Sequence, residues 1–551
     1  GKARRRRRPR LPRKCEARSC RPLLQEGVRG QGPRSCMSSS SQTPEPSYRV
    51  AARFFVSGLP IALVDGAKLT VTALTVMQIG HAASSATPLA AATLGVLTFN
   101  VAGNMILTAP LSAMDTIAPQ NFGAGNAVGV GLTALRAVIT APAFLLPTVP
   151  LWIFAREILT ALGQPPDVAA LAQTNMLMLL PSLAPWLVFE VSRKFVYAQD
   201  VQWPPLPAAV IGLATHPVWL EMTRGFGPSG PMLAPLFTFS VMAAVLVALI
   251  RWRVPRAAAA WPRAEGRAAL FGDRKAWRHF LATSAASLFS LTEWLFWEAV
   301  CFRVGALGTI PLSAYSVGYS LEPCLFMLAI GLSTALTNAV GGHLGAGRVA
   351  AARRTTAIGV GVGIATVCGY SLFAFLAGGS LRRLFSRDAE VLAAAAEMWP
   401  SWSMFLLISG TFALLLGLAK GLGQQRQMAV FVVCVLWPVG CPLVWLATCP
   451  ARVWQMLAFT YMLLSVAMGL CAACTDWHKL SATAIAHSQG SGGAASCAPA
   501  HTSTRCEGGL AAVDGAKASG ATLVGLDLED SRTPAPIPLP LSQLPSPRSK
   551  Y

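Results

Sequence analysis

Stretches of about 20 apolar residues, the length that crosses roughly 30 Å of hydrocarbon as α-helix, recur along the whole middle of this chain. They fall near 53–80, 88–116, 128–154, 168–196, 203–221, 231–251, 279–305, 309–340, 355–379, 391–419, 426–448 and 452–474. The pattern predicts an all-α integral membrane protein with about twelve transmembrane helices. Only 13% of residues are charged, against roughly a quarter in a soluble domain. Several windows exceed 20 residues, which implies tilt or extension beyond the bilayer. The fifth, carrying Pro204, Pro205, Pro207 and Pro217, is the least secure.

A net charge of +21 invites a nucleic-acid reading, but its location argues otherwise. Residues 1–36 hold thirteen Lys or Arg against Glu16 and Glu26. That segment has no apolar run, so it is neither a signal peptide nor a membrane span. It reads as a disordered basic tail (1–50) able to touch acidic headgroups; Met37 is a candidate start. No nucleic-acid partner is expected.

Positive charge on short loops marks the cytoplasmic side. The connection 253–278 is basic, and alternate turns carry Arg193 and Lys194, then Arg348, Arg353 and Arg354, then Lys420 and Arg426. Arg382, Arg383 and Arg387 are an exception. An even number of spans places both termini in the cytoplasm, in a plasma or organelle membrane. The stretch 475–551 is rich in Ser, Ala, Gly and Pro and reads as a disordered tail. Thirteen cysteines show no ligand rhythm; Cys471 and Cys474 end an apolar span, where small residues suit a helix contact.

The chain also repeats itself at an offset of about 222 residues. Phe122-Gly123-Ala124-Gly125 returns as Leu344-Gly345-Ala346-Gly347, and Asp167-Val168-Ala169-Ala170-Leu171 echoes Glu390-Val391-Leu392-Ala393-Ala394. Pro181 matches Pro400, and Ala198-Gln199 matches Gly423-Gln424. Two six-helix bundles follow, 51–252 and 279–474. With six spans each they share one orientation, related by an axis along the membrane normal, with a cavity between them.

Several segments carry a specific likeness. They are TLGVLTFNVAGNMILTAPLSAMDTIAPQNFGAG (93–125), with Asn100, Asp115 and Gln120, and SRKFVYAQDVQWP (192–204), with Gln199. LTEWLFWEAV (291–300), LSTALTNAVGGHLGAG (332–347), KGLGQQRQMA (420–429) and TDWHK (475–479) complete the set. Together they resemble the multidrug and toxic compound extrusion (MATE) transporters, especially the eukaryotic branch. The resemblance covers roughly 50–487 and implies a V-shaped pair of pseudo-symmetric six-helix bundles with a central cavity. It further implies that acidic positions in the seventh helix serve coupling and substrate binding. It leaves one gap, because Ser409 stands where eukaryotic members often carry a helix-ten glutamate.

An ionisable group inside hydrocarbon costs several kcal/mol and usually faces a cavity or partner. The acids within the windows are Asp65, Asp115, Glu190, Glu293, Glu298, Glu322 and Glu397. Glu293 and Glu298, five residues apart, point about 140° from one another, so different neighbours are expected. Trp294 and Trp297 lie one turn from Glu298 and Glu293 respectively, where an indole face can add cation–π attraction to the carboxylate's charge. Glu322 precedes Pro323 near Tyr319, beside Ser320, which aligns with a glutamate of the resembled family. Asp65 and Lys68 are spaced for an ion pair. Asp115, with Gln120, suits a structural or gating role, and Glu190 an interfacial pair with Arg193 or Lys194. Asn100 can orient a polar substrate or bridge helices; both stay open.

The Gly-Ala-Gly turns lack the lysine and strand of a phosphate loop. His81, His216, His279 and His343 show no ligand spacing, and no nucleophile, metal site or ATP motif is found. A non-enzymatic, gradient-driven exporter is expected, exchanging small organic cations for protons, with sodium as the alternative ion. It needs no cofactor and is expected as a monomer in the bilayer. Two other readings remain: export of anionic or lipid-linked metabolites, and a receptor or scaffold that has lost transport.

Overall fold

The computed structural model describes residues 45–82, 86–263, 270–386 and 388–490. The basic tail to residue 44 and the tail from residue 491 lie outside these. Among the described residues all regular structure is helical, the form that satisfies backbone N–H and C=O groups without help from lipid.

In chain order the helices are α1 (Ser47–His81), α2 (Thr87–Gly123), α3 (Ala127–Ile153), α4 (Pro166–Tyr197), α5 (Pro205–Thr223) and α6 (Gly230–Arg253). They continue with α7 (Arg274–Ser290), α8 (Thr292–Gly305), α9 (Thr309–Gly345), α10 (Val349–Leu376) and α11 (Ala389–Leu422). The last are α12 (Gln425–Trp445), α13 (Pro450–Cys474) and α14 (Trp477–Gly490). Among the described residues, ten are long and apolar enough to cross a membrane. The two expected spans outside that set are α5 and the segment divided between α7 and α8. Pro204, Pro205 and Pro207 sit at the start of α5, where a missing N–H costs little, and only Pro217 lies inside the helix.

The expected seventh span is thus two helices. Thr292 turns its hydroxyl back to the Phe289 carbonyl at 2.7 Å, and the Leu291 N–H is shared between Ser287 and Leu288 carbonyls at 3.1 and 3.2 Å. A side chain that competes for backbone bonds is a standard cause of a helix break. It starts a fresh helix N-terminus at Glu293. Local widenings also occur within α2 (Asn100–Asn104) and α12 (Leu436–Gly440), both π-helical.

Packing repeats between the halves. In the first, α2 packs on α3 and α4, α4 on α6, and α1 on α5; in the second, α9 packs on α10 and α11, α11 on α13, and α7 on α12. Across the halves α1 meets α9, and α7 meets α2. The seam closes at the Gly-Ala-Gly turns. A Cβ on Gly123 would lie 1.9 Å from the Gly342 carbonyl oxygen, and one on Gly345 would lie 2.0 Å from that of Gln120. Residues 120 and 123 are displaced by 222 from 342 and 345, so each half presents the same pair of positions to the other.

Two expected boundaries change. The connection 253–278 is not simply a solvated link: Ala257 and Ala260 are buried, Trp261 meets Phe195 edge-on at 5.7 Å, and α7 already begins at Arg274, capped by Asp273. Residues 477–490, assigned to the disordered tail, form α14. Asp476 caps its N–H groups, and Trp477, Ser481, Ala484 and Ser488 are buried. That stripe repeats at helical spacing, but its small and polar members conceal it from a hydropathy scan.

Candidate functional site

The second half gathers three carboxylates around aromatic rings. Glu293 stands in the first turn of α8, where unpaired N–H groups present positive charge, and accepts a hydrogen bond from the Tyr461 hydroxyl of α13 at 2.7 Å. Glu322 reaches the same region from α9, close enough for Glu293 to act on its charge. Pro323, without an N–H, cannot bond the Tyr319 carbonyl one turn back. Glu298 lies on another face of α8, beside Tyr319 and Cys301. Trp297 sits in the middle, its ring 6.2 Å from Tyr319, 5.5 Å from Phe405, 6.2 Å from Trp454 and 6.2 Å from Tyr461. The wall behind is rigid: the Trp402 indole donates to the Gly318 carbonyl at 3.1 Å, and a Cβ on Gly318 would strike its ring at 2.8 Å. Partly buried acids against aromatic faces suit a cation.

The first half pairs its buried acids Asp65, Asp115 and Glu190 with bases of its own, while Arg136, buried in α3, has among the described acids only Asp273, at 4.0 Å. Lys68 contacts Asp65 at 2.7 Å and Glu190 at 2.6 Å, while Arg193 contacts Asp65 at 3.0 Å and Glu190 at 2.6 Å. This closed square of two acids and two bases joins α1 to α4. The Asp65–Lys68 pair is present as spaced. Glu190, expected at the interface, is buried at 3% side-chain exposure because Arg193 and Lys68 both turn inward to it. Asp115 pairs with Lys194 at 2.5 Å and faces Lys420, of the other half, at 4.0 Å.

The remaining predicted positions divide by location. Gln120 donates to the Gly421 carbonyl at 3.3 Å across the seam, whereas Gln199 donates to Phe195 within its own turn at 3.0 Å. Asn100, on the π-helical turn, lines a small uncharged cavity with Thr72, Thr75, Ser182 and Phe239. Trp294, expected beside Glu298 at the site, is 59% exposed and makes no ring contact among the described residues. It lies one helical position from Glu293, about 100° around α8. Ser409, buried, bonds its own helix at Leu406.

Sequence reading missed Tyr461 and the contact of His279 with His487, whose rings lie 4.1 Å apart; the Glu190–Arg193 pair it anticipated is present. No cluster of three or more His, Cys, Asp or Glu able to hold a metal occurs among the described residues.

The MatE family model matches residues 60–219 and 285–446, two blocks that begin 225 residues apart, as the internal repeat requires. The chain belongs to the MatE family. The family comprises multidrug and toxin extrusion transporters, and this MATE chain is accordingly a multi-pass membrane protein of that class. It is 25% identical over 412 residues to multidrug and toxin extrusion protein 2 of Oryctolagus cuniculus, covering 74% of this chain and 67% of that one. It is 26% identical over 364 residues to multidrug and toxin extrusion protein 1 of Mus musculus, covering 64% and 62%. The chain thus spans about two thirds of the length of these relatives. In fold it is similar to the crystal structure of the eukaryotic MATE transporter AtDTX14, with TM-score 0.72, 21% identity, and coverage of 80% of this chain and 99% of that one.

Proposed function

We propose that this MATE chain exports small organic cations in exchange for protons, through Glu293, Glu298 and Glu322. The observation that carries the reading is their convergence on the ring cluster of Trp297, Tyr319 and Tyr461, with none of the three in an ion pair among the described residues. A cation held there by charge and aromatic faces leaves when protonation removes the charge. One elementary charge crossing 100 mV is worth about 2.3 kcal/mol, enough to bias such an exchange.

A proton is favoured over sodium because no group of three or more His, Cys, Asp or Glu gathers to hold a cation among the described residues. Trp294 drops out of this reading. Asp115 and Gln120 serve the seam, Asp65 and Lys68 the α1–α4 contact. We place the Gly-Ala-Gly end, with its basic turns, in the cytoplasm, with both termini on that side. The protein acts as a monomer, with bilayer and cargo as its partners.

The test is uptake of tetraethylammonium or ethidium into sealed liposomes holding purified protein under an imposed pH gradient, with Glu298→Gln and Glu293→Gln alongside. Gradient-driven uptake should fall at least tenfold in each variant. Wild-type flux that follows a sodium gradient instead would replace the coupling ion. Equal flux in wild type and both variants would remove these residues from the mechanism.

A further inference from the structure

At the end of the first bundle that carries the Gly-Ala-Gly turn lies an open groove of about 360 Å³. Val56 and Ser57 of α1, Asp200, Gln202 and Trp203 between α4 and α5, and Arg253 at the end of α6 line it. Its volume falls in the range of small-molecule sites, roughly 300–1,000 Å³. It shares no residue with the carboxylate cluster of the second half.

The charges in this groove are opposite and stay apart. Asp200 and Arg253 both line it, yet neither forms an ion pair among the described residues. Asp200 sits in the left-handed region at φ 60°, a conformation Asp tolerates better than most residues, and its carboxylate accepts from the Gln202 amide at 2.9 Å. Arg253 is exposed, as are Arg251 and Arg256 on either side of it. A ligand that carries both a phosphate and an ammonium group satisfies the two sides together. The guanidinium meets the phosphate, and the carboxylate and the Trp203 ring meet the ammonium.

Two further features make that ligand a lipid. Trp203 and Trp252, the second adjacent to Arg253, are both exposed, and exposed tryptophans at the end of a membrane helix lie at headgroup level. From Val56, the exposed apolar residues Leu59 and Leu63 continue along α1 toward the middle of the span. Steps of three and four residues keep them on one helix face, so an apolar track for acyl chains leads away from the groove.

We propose that this groove is a specific site for an aminophospholipid headgroup of the phosphatidylethanolamine type, its phosphate on Arg253 and its ammonium on Asp200 and Trp203. The site is separate from the proposed cation site, and its test measures no transport.

The full chain in detergent micelles would be titrated with phosphatidylethanolamine and followed by native mass spectrometry, beside phosphatidylcholine, phosphatidylglycerol and free phosphoethanolamine. Phosphatidylethanolamine should bind at least tenfold more tightly than each of the other three, because only it joins acyl chains to a phosphate and a hydrogen-bonding ammonium. Arg253→Gln and Asp200→Asn should each weaken its binding about tenfold, whereas Arg156→Gln, at the opposite end of the bundle, should leave it unchanged. Phosphatidylcholine or phosphatidylglycerol bound as tightly as phosphatidylethanolamine overturns the proposal, a result that stands on the wild type alone should a variant fail to fold. Free phosphoethanolamine bound as tightly as the lipid overturns the lipid as occupant. Phosphatidylethanolamine binding unchanged in either folded variant overturns the assigned contacts and the proposal with them.

Discussion

At the residue scale, small size and fixed charge do different work. Gly123 has a neighbouring carbonyl where a methyl group would go, 1.9 Å from its would-be Cβ, so Gly123→Ala must push the halves apart. Overpacking costs about 1–3 kcal/mol, and here that strain falls on the closed seam alone. Liposome flux should drop at least tenfold while the melting temperature moves little. A Gly125→Ala control meets open space but carries φ +78°, so it should cost some stability and leave flux largely intact. Equal flux in Gly123→Ala and wild type would show that the seam need not close this tightly. The sequence flagged these glycines through their repetition. It could not say that Gly123 meets Gly342 and Gly345 meets Gln120, because contact between positions so far apart is a property of the packed bundle.

At the element scale, breaks and a late helix set the site's geometry. The interruption at Leu291–Thr292 gives Glu293 a helix N-terminus and separates its surroundings from those of Glu298; hydropathy treats the whole segment as one apolar window. Helix α14 joins both halves at the seam end: Ser481 donates to the Leu344 carbonyl at 2.7 Å, and Asn126 donates to the Ser488 carbonyl at 2.8 Å. His487, mainly exposed and packed on His279 at 4.1 Å, is held below the ordinary imidazole value by partial desolvation of its ring. The docked helix therefore binds fewer protons than the free one. Its docking is complete above the free value near 6.5 and weakens as pH falls through it. A label on Thr483→Cys, in a cysteine-replaced background, should gain mobility between about pH 7 and pH 5, and His487→Gln should flatten that change. A mobility independent of pH in the His487 protein would remove the pair from the docking energetics.

At the scale of the whole molecule, two bundles of matching topology carry unlike charge. The first half pairs its buried acids in the Asp65–Lys68–Glu190–Arg193 square, and the second leaves Glu293, Glu298 and Glu322 partly buried with no ion pair among the described residues. Breaking the square by one residue strands a buried charge, which costs about 3–5 kcal/mol, so single substitutions there confuse stability with transport. The double substitution Asp65→Asn with Lys68→Met leaves the Arg193–Glu190 pair intact at 2.6 Å. It should keep gradient-driven flux within about threefold of wild type, against the tenfold or greater loss expected on neutralising Glu293. Loss of flux in the folded double variant would place ion coupling in the first half as well.

The sequence by itself determined the membrane environment, the helical class, the two-fold repeat and the short set of acids worth weighing. Each of these follows from local composition or from order along the chain. Tertiary structure decided which acids are already spent. Lys68 could be matched to Asp65 by helical spacing alone, but the capture of Glu190 by Lys68 runs between positions 122 apart. It also brought Tyr461, 168 residues away, into a hydrogen bond with Glu293, while Trp294 beside Glu293 stays 59% exposed. Spacing fixes which side chains share a face of one helix. Which face meets the cavity is settled only when the other helices pack against it.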